Sequence, residues 1–228
     1  MNDFTTPTND ELSDSLCFSK MGFETKHFFF KRFFDIAFSL MALILTLPIL
    51  LIIAIVIKAT SPGPILFCQK RVGRGGKTFT CYKFRTMFKD AEDKLNELLN
   101  SSESIRSEWV ALRKLREDPR ITPFGKFLRK SSMDELPQFL NVLLGDLSVV
   151  GPRPVVKEEI TYFGSKAPKI LSIRPGITGI WQVSGRNDIS YTKRVEMDEM
   201  YVDSHSFFLD FRLIIKTIFK VFSFEGAY

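Results

Sequence analysis

The chain is poor in the residues on which many enzyme sites are built. Only two histidines, His27 and His205, occur among 228 residues. This argues against a zinc centre of His and Cys ligands and against a nucleophile activated by a His base. Three cysteines, Cys17, Cys68 and Cys81, form no CxxC pair. Their odd number offers no disulfide framework and reads as a reduced compartment. A phosphate-binding P-loop is also missing. Gly76-Lys77-Thr78 resembles its end, but Arg71 stands where the motif needs a glycine. Residues 1–27 are polar, acidic on balance and without apolar periodicity, and they lack the basic start of a signal peptide. They read as a mobile tail. Chemistry must therefore rest on carboxylates, Arg, Lys and hydroxyls.

A second absence is of charge. From Ile36 to Ile57, IAFSLMALILTLPILLIIAIVI, no charged or strongly polar side chain interrupts the run. As a helix it rises about 33 Å, enough to cross a hydrocarbon core. Lys31 and Arg32 flank it on one side and Lys58 on the other. Pro48 near its middle removes a backbone hydrogen bond and bends the helix. Two topologies stay open on charge alone. Basic residues at both ends suit a re-entrant helix that returns to the side it entered. The acidic tail suits a single crossing with the tail outside.

What is abundant fits a membrane setting. The net charge is +6 and there are 23 phenylalanines. A basic chain suits anionic lipid, nucleic acid or phosphorylated small molecules. Nucleic acid is disfavoured, because the aromatics sit in apolar runs such as HFFFKRFF instead of alternating with bases. After the turn SPGP at 61–64, two β-rich runs around a glycine-rich turn predict a hairpin. Residues 88–117 read as charged helix interrupted near NSSES. In residues 206–224, Arg212, Lys216 and Lys220 make a basic stripe beside Phe208, Phe211, Ile214, Ile215, Ile218 and Phe222. That pattern suits a helix lying in a membrane interface, or one packed on a core with its bases in water.

The candidate reaction centre is RKSSMDELPQ at 129–138. Ser132 and Glu135 have the spacing of a capping box, and Leu136, Leu140, Leu143 and Leu144 follow with helical periodicity. Glu135 then caps, and Asp134 complements the helix dipole. Pro137 weakens the box by disfavouring helical angles at Leu136. A helix start with Arg129 and Lys130 nearby would also keep Asp134 ionised, and an ionised carboxylate can attack phosphorus or hold a metal. Structure and chemistry both remain open here. Elsewhere Lys83 and Arg85 end a strand, Arg153 stands between prolines in GPRP, and Arg186 follows a glycine in SGRND. Such rigidly framed arginines suit phosphate recognition. RPGITG at 174–179 adds a turn whose glycines would allow close approach to a nucleotide.

Four stretches together, KRFFDIAFSL with LPILLIIAIVIK, GPILFCQKRVGRGGKTFTCYKFRTM, DPRITPFGKFLRKSSMDELPQFLNVLLGDLSVVGPRP and RPGITGIWQVSGRN, resemble the bacterial sugar transferases, the monotopic phosphoglycosyl transferases. The resemblance runs from about Lys31 to the end. SEWVALRKLREDPRIT and the terminal GAY resemble the subgroup that begins exopolysaccharide synthesis with galactose 1-phosphate. The resemblance implies an α+β fold: a small, mostly helical catalytic domain with a β-hairpin, a re-entrant N-terminal membrane helix and interfacial amphipathic helices. Three parts follow: a tail at 1–27, the membrane helix at 28–58 and a catalytic domain at 59–228 on the cytoplasmic face of a bacterial inner membrane. It implies transfer of a sugar 1-phosphate from a UDP-sugar to undecaprenyl phosphate, with Mg²⁺, release of UMP and a covalent intermediate on Asp134. Glu135 would be its partner, and both acids would hold the metal. Arg129 and Arg153 match arginines held to bind phosphate, while Lys83, Arg85 and Arg186 lie in matching motifs. Pro48 matches the family's membrane bend. Many members have Ser before that proline. Here Leu47 stands there, and Thr46 is the candidate to bond a freed carbonyl instead. The competing reading is a membrane-bound, non-catalytic partner of polysaccharide assembly. Self-association stays open.

Overall fold

The structure is a computed structural model that describes residues 25–112, 115, 117–185 and 189–223. Residues 1–24 of the 1–27 tail, and Arg186, lie outside the described residues, while Thr25–His27 belong to the first helix. The chain is mostly helical, with two small two-stranded sheets.

The first element, α1, runs Thr25–Thr60 and contains Pro48. Its Leu, Ile, Ala and Met content favours helix, and the segment Phe29–Thr60 is long and apolar enough to cross a membrane. Thr46 Oγ1 donates to Ala42 O at 2.7 Å. The carbonyl that Pro48 leaves without its backbone donor is that of Ile44, one helical turn back, so Thr46 does not restore the lost bond.

The two ends of α1 are held by different means. At the start, Lys31 Nζ donates to Val150 O and to Asp210, and Arg32 donates to the carbonyls of Val142 and Leu143. One turn on, Asp35 Oδ1 accepts from Ser148 Oγ and from the Val149 amide, both at 3.0 Å. At the other end, Ile53 and Ile57 are buried in an apolar cluster with Phe84 and Leu128. Between them Leu40, Met41, Ile44, Leu45 and Leu47 stay exposed. Both ends of one helix thus rest on one domain, while its apolar middle faces outward.

The predicted hairpin forms. Strands β1 (Leu66–Val72) and β2 (Thr78–Phe84) pair antiparallel, Leu66 opposite Phe84 and Val72 opposite Thr78. Gly75 and Gly76 in the turn have φ of 69° and 75°, which side chains disfavour. Helices α2 (Ala91–Ser101) and α3 (Glu103–Leu112) break at Ser102, inside the NSSES stretch, where φ and ψ are extended at −146° and 121°. Then come α4 (Pro123–Lys130), α5 (Gln138–Leu144) and β3 (Ser148–Val150).

A further turn of helix, α6 (Ala167–Ile170), precedes β4 (Gly176–Thr178), which pairs parallel with β3. The glycine of RPGITG meets backbone here, not open cleft: a Cβ on Gly176 would collide with the Gly151 amide nitrogen. That corrects the expectation of close approach to a nucleotide at this glycine, since the approach is strand to strand. Helices α7 (Ile180–Ser184), α8 (Tyr191–Ser204) and α9 (Phe207–Ser223) complete the chain. The core joins Phe79, Val142, Val150, Tyr201, Leu213 and Ile214 from β2, α5, β3, α8 and α9. Along α9, Leu213, Ile214 and Asp210 face inward, with Asp210 accepting from the Tyr201 hydroxyl. Phe208, Phe211, Arg212, Ile215, Lys216 and Phe219 are exposed together. The helix therefore carries apolar rings and bases on the same outer surface.

Candidate active site

The paired acids sit at the joint between α4 and α5. Helix α4 starts cleanly: Thr122 Oγ1 accepts from the Gly125 amide, and Pro123 occupies the first turn. It ends at Lys130, and Ser132 then adopts left-handed angles, φ 57° and ψ 15°. Met133–Glu135 forms one tight turn before Pro137 and α5. The predicted capping box does not form. Ser132 makes no cap with its side chain, because its own backbone reverses the chain, and the Glu135 carboxylate turns away to Lys83. Leu136 keeps helical angles despite the following proline, another departure from the sequence reading.

Lys83 on β2 donates to Glu135 Oε1 at 2.5 Å. Burial pushes the Asp134 carboxyl up to about 6, and the neighbouring Glu135 adds to the rise. Lys83 and Arg129 pull the other way. The sequence reading had the helix end and the cations keeping this group low. In the fold, desolvation outweighs them. In its ionised form such a carboxyl has the chemistry to attack phosphorus or to hold a metal.

The dyad opens into a cleft of about 1590 Å³. Lys83, Arg85, Arg129, Asp134, Glu135 and Arg153 all line it. Arg129 reaches it from the last turn of α4, steadied by Nε donating to Thr86 Oγ1 at 2.9 Å. Arg85 is placed differently from the others. Its guanidinium donates to Pro62 O at 2.9 Å and Ser61 O at 2.6 Å. It thereby clamps the SPGP turn, where α1 feeds into the hairpin. Pro48 lies in α1 and is not among the residues that line the cleft.

Several cleft residues were not proposed as site residues from the sequence. Arg71 on β1 also lines the wall, with Nη1 donating to Pro154 O. Asp118 and Arg120 form a closed two-bonded pair, 2.8 and 2.7 Å. At the α7–α8 wall, Arg153 and Arg194 both lie over the Trp181 ring, 5.5 and 4.8 Å from its centroid. Asp198 is buried beside them. One signal could have found it: Asp198 stands in the apolar register of α8, between the buried Val195 and Tyr201–Val202.

The donor chemistry is compatible with a hard cation. Asp134 and Glu135 offer oxygen ligands, and Mg²⁺ characteristically takes one or two carboxylates plus phosphate and water. Among the described residues no group of three or more His, Cys, Asp or Glu converges. The dyad therefore fits a metal shared with a phosphorylated substrate, not a closed protein cage.

A family model described as bacterial sugar transferase matches residues 26–224. The chain belongs to the bacterial sugar transferases. Among curated relatives, the exopolysaccharide production protein ExoY of Sinorhizobium fredii is 44% identical over 198 residues, covering 87% of this chain and 88% of its own length. The undecaprenyl-phosphate galactose phosphotransferase of Salmonella typhimurium is 46% identical over 201 residues, covering 88% of this chain and 42% of its own length. The UDP-glucose:undecaprenyl-phosphate glucose-1-phosphate transferase of Klebsiella pneumoniae is 40% identical over 207 residues, covering 87% and 41%. Such relatives make this sugar transferase an enzyme and not a scaffold, a phosphoglycosyl transferase.

Proposed function

We propose that this transferase moves a sugar 1-phosphate from a UDP-sugar to undecaprenyl phosphate, through a covalent intermediate on Asp134, and so begins exopolysaccharide synthesis. The observation that carries the reading is the Asp134–Glu135 pair in a cleft lined by Lys83, Arg129 and Arg153, in a chain with a helix apolar enough for a membrane. Galactose is the favoured sugar, by the likeness to the galactose phosphotransferase, although a relative named for glucose is similar as well.

In the first step an Asp134 carboxylate oxygen attacks the phosphorus that bears the sugar. The bond from that phosphorus to the bridging oxygen breaks, and UMP leaves with the electron pair. In the second, a phosphate oxygen of undecaprenyl phosphate attacks the same phosphorus. The aspartyl–phosphorus bond breaks, giving the lipid diphosphate sugar and the free carboxylate. Glu135, held by Lys83, fixes the dyad, while Lys83, Arg129 and Arg153 face the phosphate charge. Arg186, outside the described residues, belongs to the same proposed phosphate set, and Arg85 joins it through the turn it clamps. Mg²⁺, held by Asp134 and Glu135 when bound, would supply further neutralisation of the diphosphate.

Placement at a membrane follows the same logic. A polyprenyl phosphate keeps its tail in lipid and its phosphate at the surface. A re-entrant α1 is supported by its two ends resting on one domain, and an interfacial α9 by its exposed rings and bases. The three-part division at 1–27, 28–58 and 59–228 and a cytoplasmic-face position at the inner membrane belong to this proposal, since UDP-sugars are cytoplasmic metabolites.

The test uses purified chain in nanodiscs with Mg²⁺, undecaprenyl phosphate and a panel of UDP-sugars, reading UMP release. Sugar-labelled donor without acceptor should leave label on the protein, and Asp134→Asn should abolish both signals. Turnover by that variant, or silence of the intact chain with every donor, would overturn the reading.

A further inference from the structure

The α7–α8 wall of the cleft holds polar atoms that the proposed phosphate chemistry does not use. Asp198 is 3% exposed and Trp181 is 5% exposed. Asp198 Oδ1 and Trp181 Nε1 are both buried without a hydrogen bond, and so is Gln182 Oε1. The Arg153 backbone amide and the indole N–H both favour the charged carboxylate, yet neither Asp198 Oδ1 nor Trp181 Nε1 completes a hydrogen bond. Buried polar atoms are nearly always paired, and leaving one unpaired costs the whole of its lost hydration. Three such atoms on one wall of one cleft point to a missing ligand group. All three residues line that cleft together with Asp134.

The unpaired set has a definite chemistry. It offers one indole donor and two oxygen acceptors. A hydroxyl both donates and accepts, so it satisfies an acceptor and a donor together. The guanidinium groups of Arg153 and Arg194 over the same indole add positive charge, which suits a hydroxyl-bearing group attached to phosphate. Burial also pushes the Asp198 carboxyl up to about 7, so near neutral pH it can accept from a hydroxyl or donate to one.

We propose that Asp198 and Trp181, with Gln182 beside them, form a hydroxyl-binding subsite for the nucleotide sugar in the cleft that the Asp134–Glu135 dyad also lines. The inference rests on the UDP-sugar reading above and deepens it. The hydroxyls belong either to the transferred hexose or to the nucleotide ribose, which share this chemistry. The residues act by positioning the donor and not by touching the reacting phosphorus.

The experiment measures binding, so it is independent of turnover. Full chain in nanodiscs, in an Asp134→Asn background that holds donor without consuming it, is titrated calorimetrically with UDP-galactose, UDP-glucose, UMP and 2′-deoxy-UMP. Asp198→Ala removes the acceptor. Trp181→Phe keeps a ring under the arginines and removes only the donor. Each should weaken UDP-sugar binding by roughly tenfold, the loss of one buried hydrogen bond. Unchanged UMP affinity assigns the subsite to the hexose. Equal weakening for UMP, with 2′-deoxy-UMP binding alike to variants and parent, assigns it to the ribose. If both variants bind every ligand as the parent does and only their melting temperatures fall, the pair is a core contact and the proposal fails. Should Asp198→Ala not fold, Trp181→Phe decides alone. A parent that binds no UDP-sugar overturns the donor reading itself and this subsite with it. A parent that binds donor, in a protein whose intact form releases no UMP, removes the transfer reaction and leaves the subsite standing.

Discussion

Asp134→Asn should make the protein inactive and, at neutral pH, more stable. The carboxyl is raised from 3.8 to about 6, chiefly by burial. Its folded-state pKa lies above the unfolded one, so the folded state binds the proton more tightly. The stabilising contribution is whole below pH 4 and is lost as pH rises through 6. Above that, ionised Asp134 costs the folded state about 3 kcal/mol relative to a neutral group. Asparagine has nearly the shape of a protonated carboxyl and never ionises. The variant should therefore match the parent near pH 4 and exceed it by up to about 3 kcal/mol at pH 7.5, a gain of roughly 6–10 °C in melting temperature for a domain of this size.

The assay is thermal unfolding of both proteins in the same detergent at pH 4.5, 6 and 7.5, with chelator present so that no divalent ion offsets the charge. Only the difference between the proteins matters, because other groups that titrate in this range, Asp198 among them, are common to both. A variant less stable than the parent at pH 7.5, or a difference that does not change with pH, would refute the argument. It would mean that Lys83 and Arg129 outweigh burial, and that the acid is held in place by its charge.

Three further outcomes follow from the geometry. Lys83→Met removes a cation that favours ionised Asp134, so the acid limb of the pH–rate profile should move up by about one pH unit, and an unmoved limb would dissociate Lys83 from the dyad. Arg85→Ala strips two charged hydrogen bonds from the Ser61 and Pro62 carbonyls and should cost about 2–4 kcal/mol in denaturant unfolding, and an unchanged midpoint would show that the clamp carries no stability. Single cysteines at Phe30 and Thr60, in a chain whose own three cysteines are serines, should react with an impermeant maleimide from the same side of sealed vesicles. Labelling from opposite sides would replace re-entry with a crossing.

Much of the backbone was legible because it is local. The hairpin announces itself by β-rich runs around Gly75-Gly76, and the α2–α3 break by NSSES. The dyad and four of its proposed cations were found from motif and framing, and they share one cleft. Most of the errors concern tertiary surroundings. Spacing gave Ser132 and Glu135 a cap, whereas a left-handed Ser132 and a lysine from β2, 52 residues away in the chain, decide their geometry. Arg85 read like Arg153, yet its guanidinium is spent on the turn after α1. Asp198 and Arg194 carry no motif at all. Their meaning comes from Trp181 on another helix, which no local pattern brings to them.

The same distinction bears on α1. Flanking charge counted on a linear chain left re-entry and crossing balanced, because Lys31, Arg32 and Lys58 suit re-entry while the acidic tail suits a crossing. The fold adds what those residues touch. Arg32 is fixed by the Val142 and Leu143 carbonyls, and Asp35 accepts from Ser148 and Val149, so the start of the helix is tied to α5 and β3 by buried polar bonds. Ile53 and Ile57 are buried against Phe84 and Leu128, so its far end is tied to β2 and α4 by apolar contact. A straight crossing would pull one of these attachments through the bilayer. Losing the first strands buried donors and a carboxylate, and losing the second exposes four buried apolar side chains, each worth about 1.5–3 kcal/mol. Either loss exceeds what a few flanking charges contribute at a membrane surface, about 1 kcal/mol apiece. The re-entrant bend proposed at Pro48 is thus supported by residues that a hydropathy profile counts only as flanks.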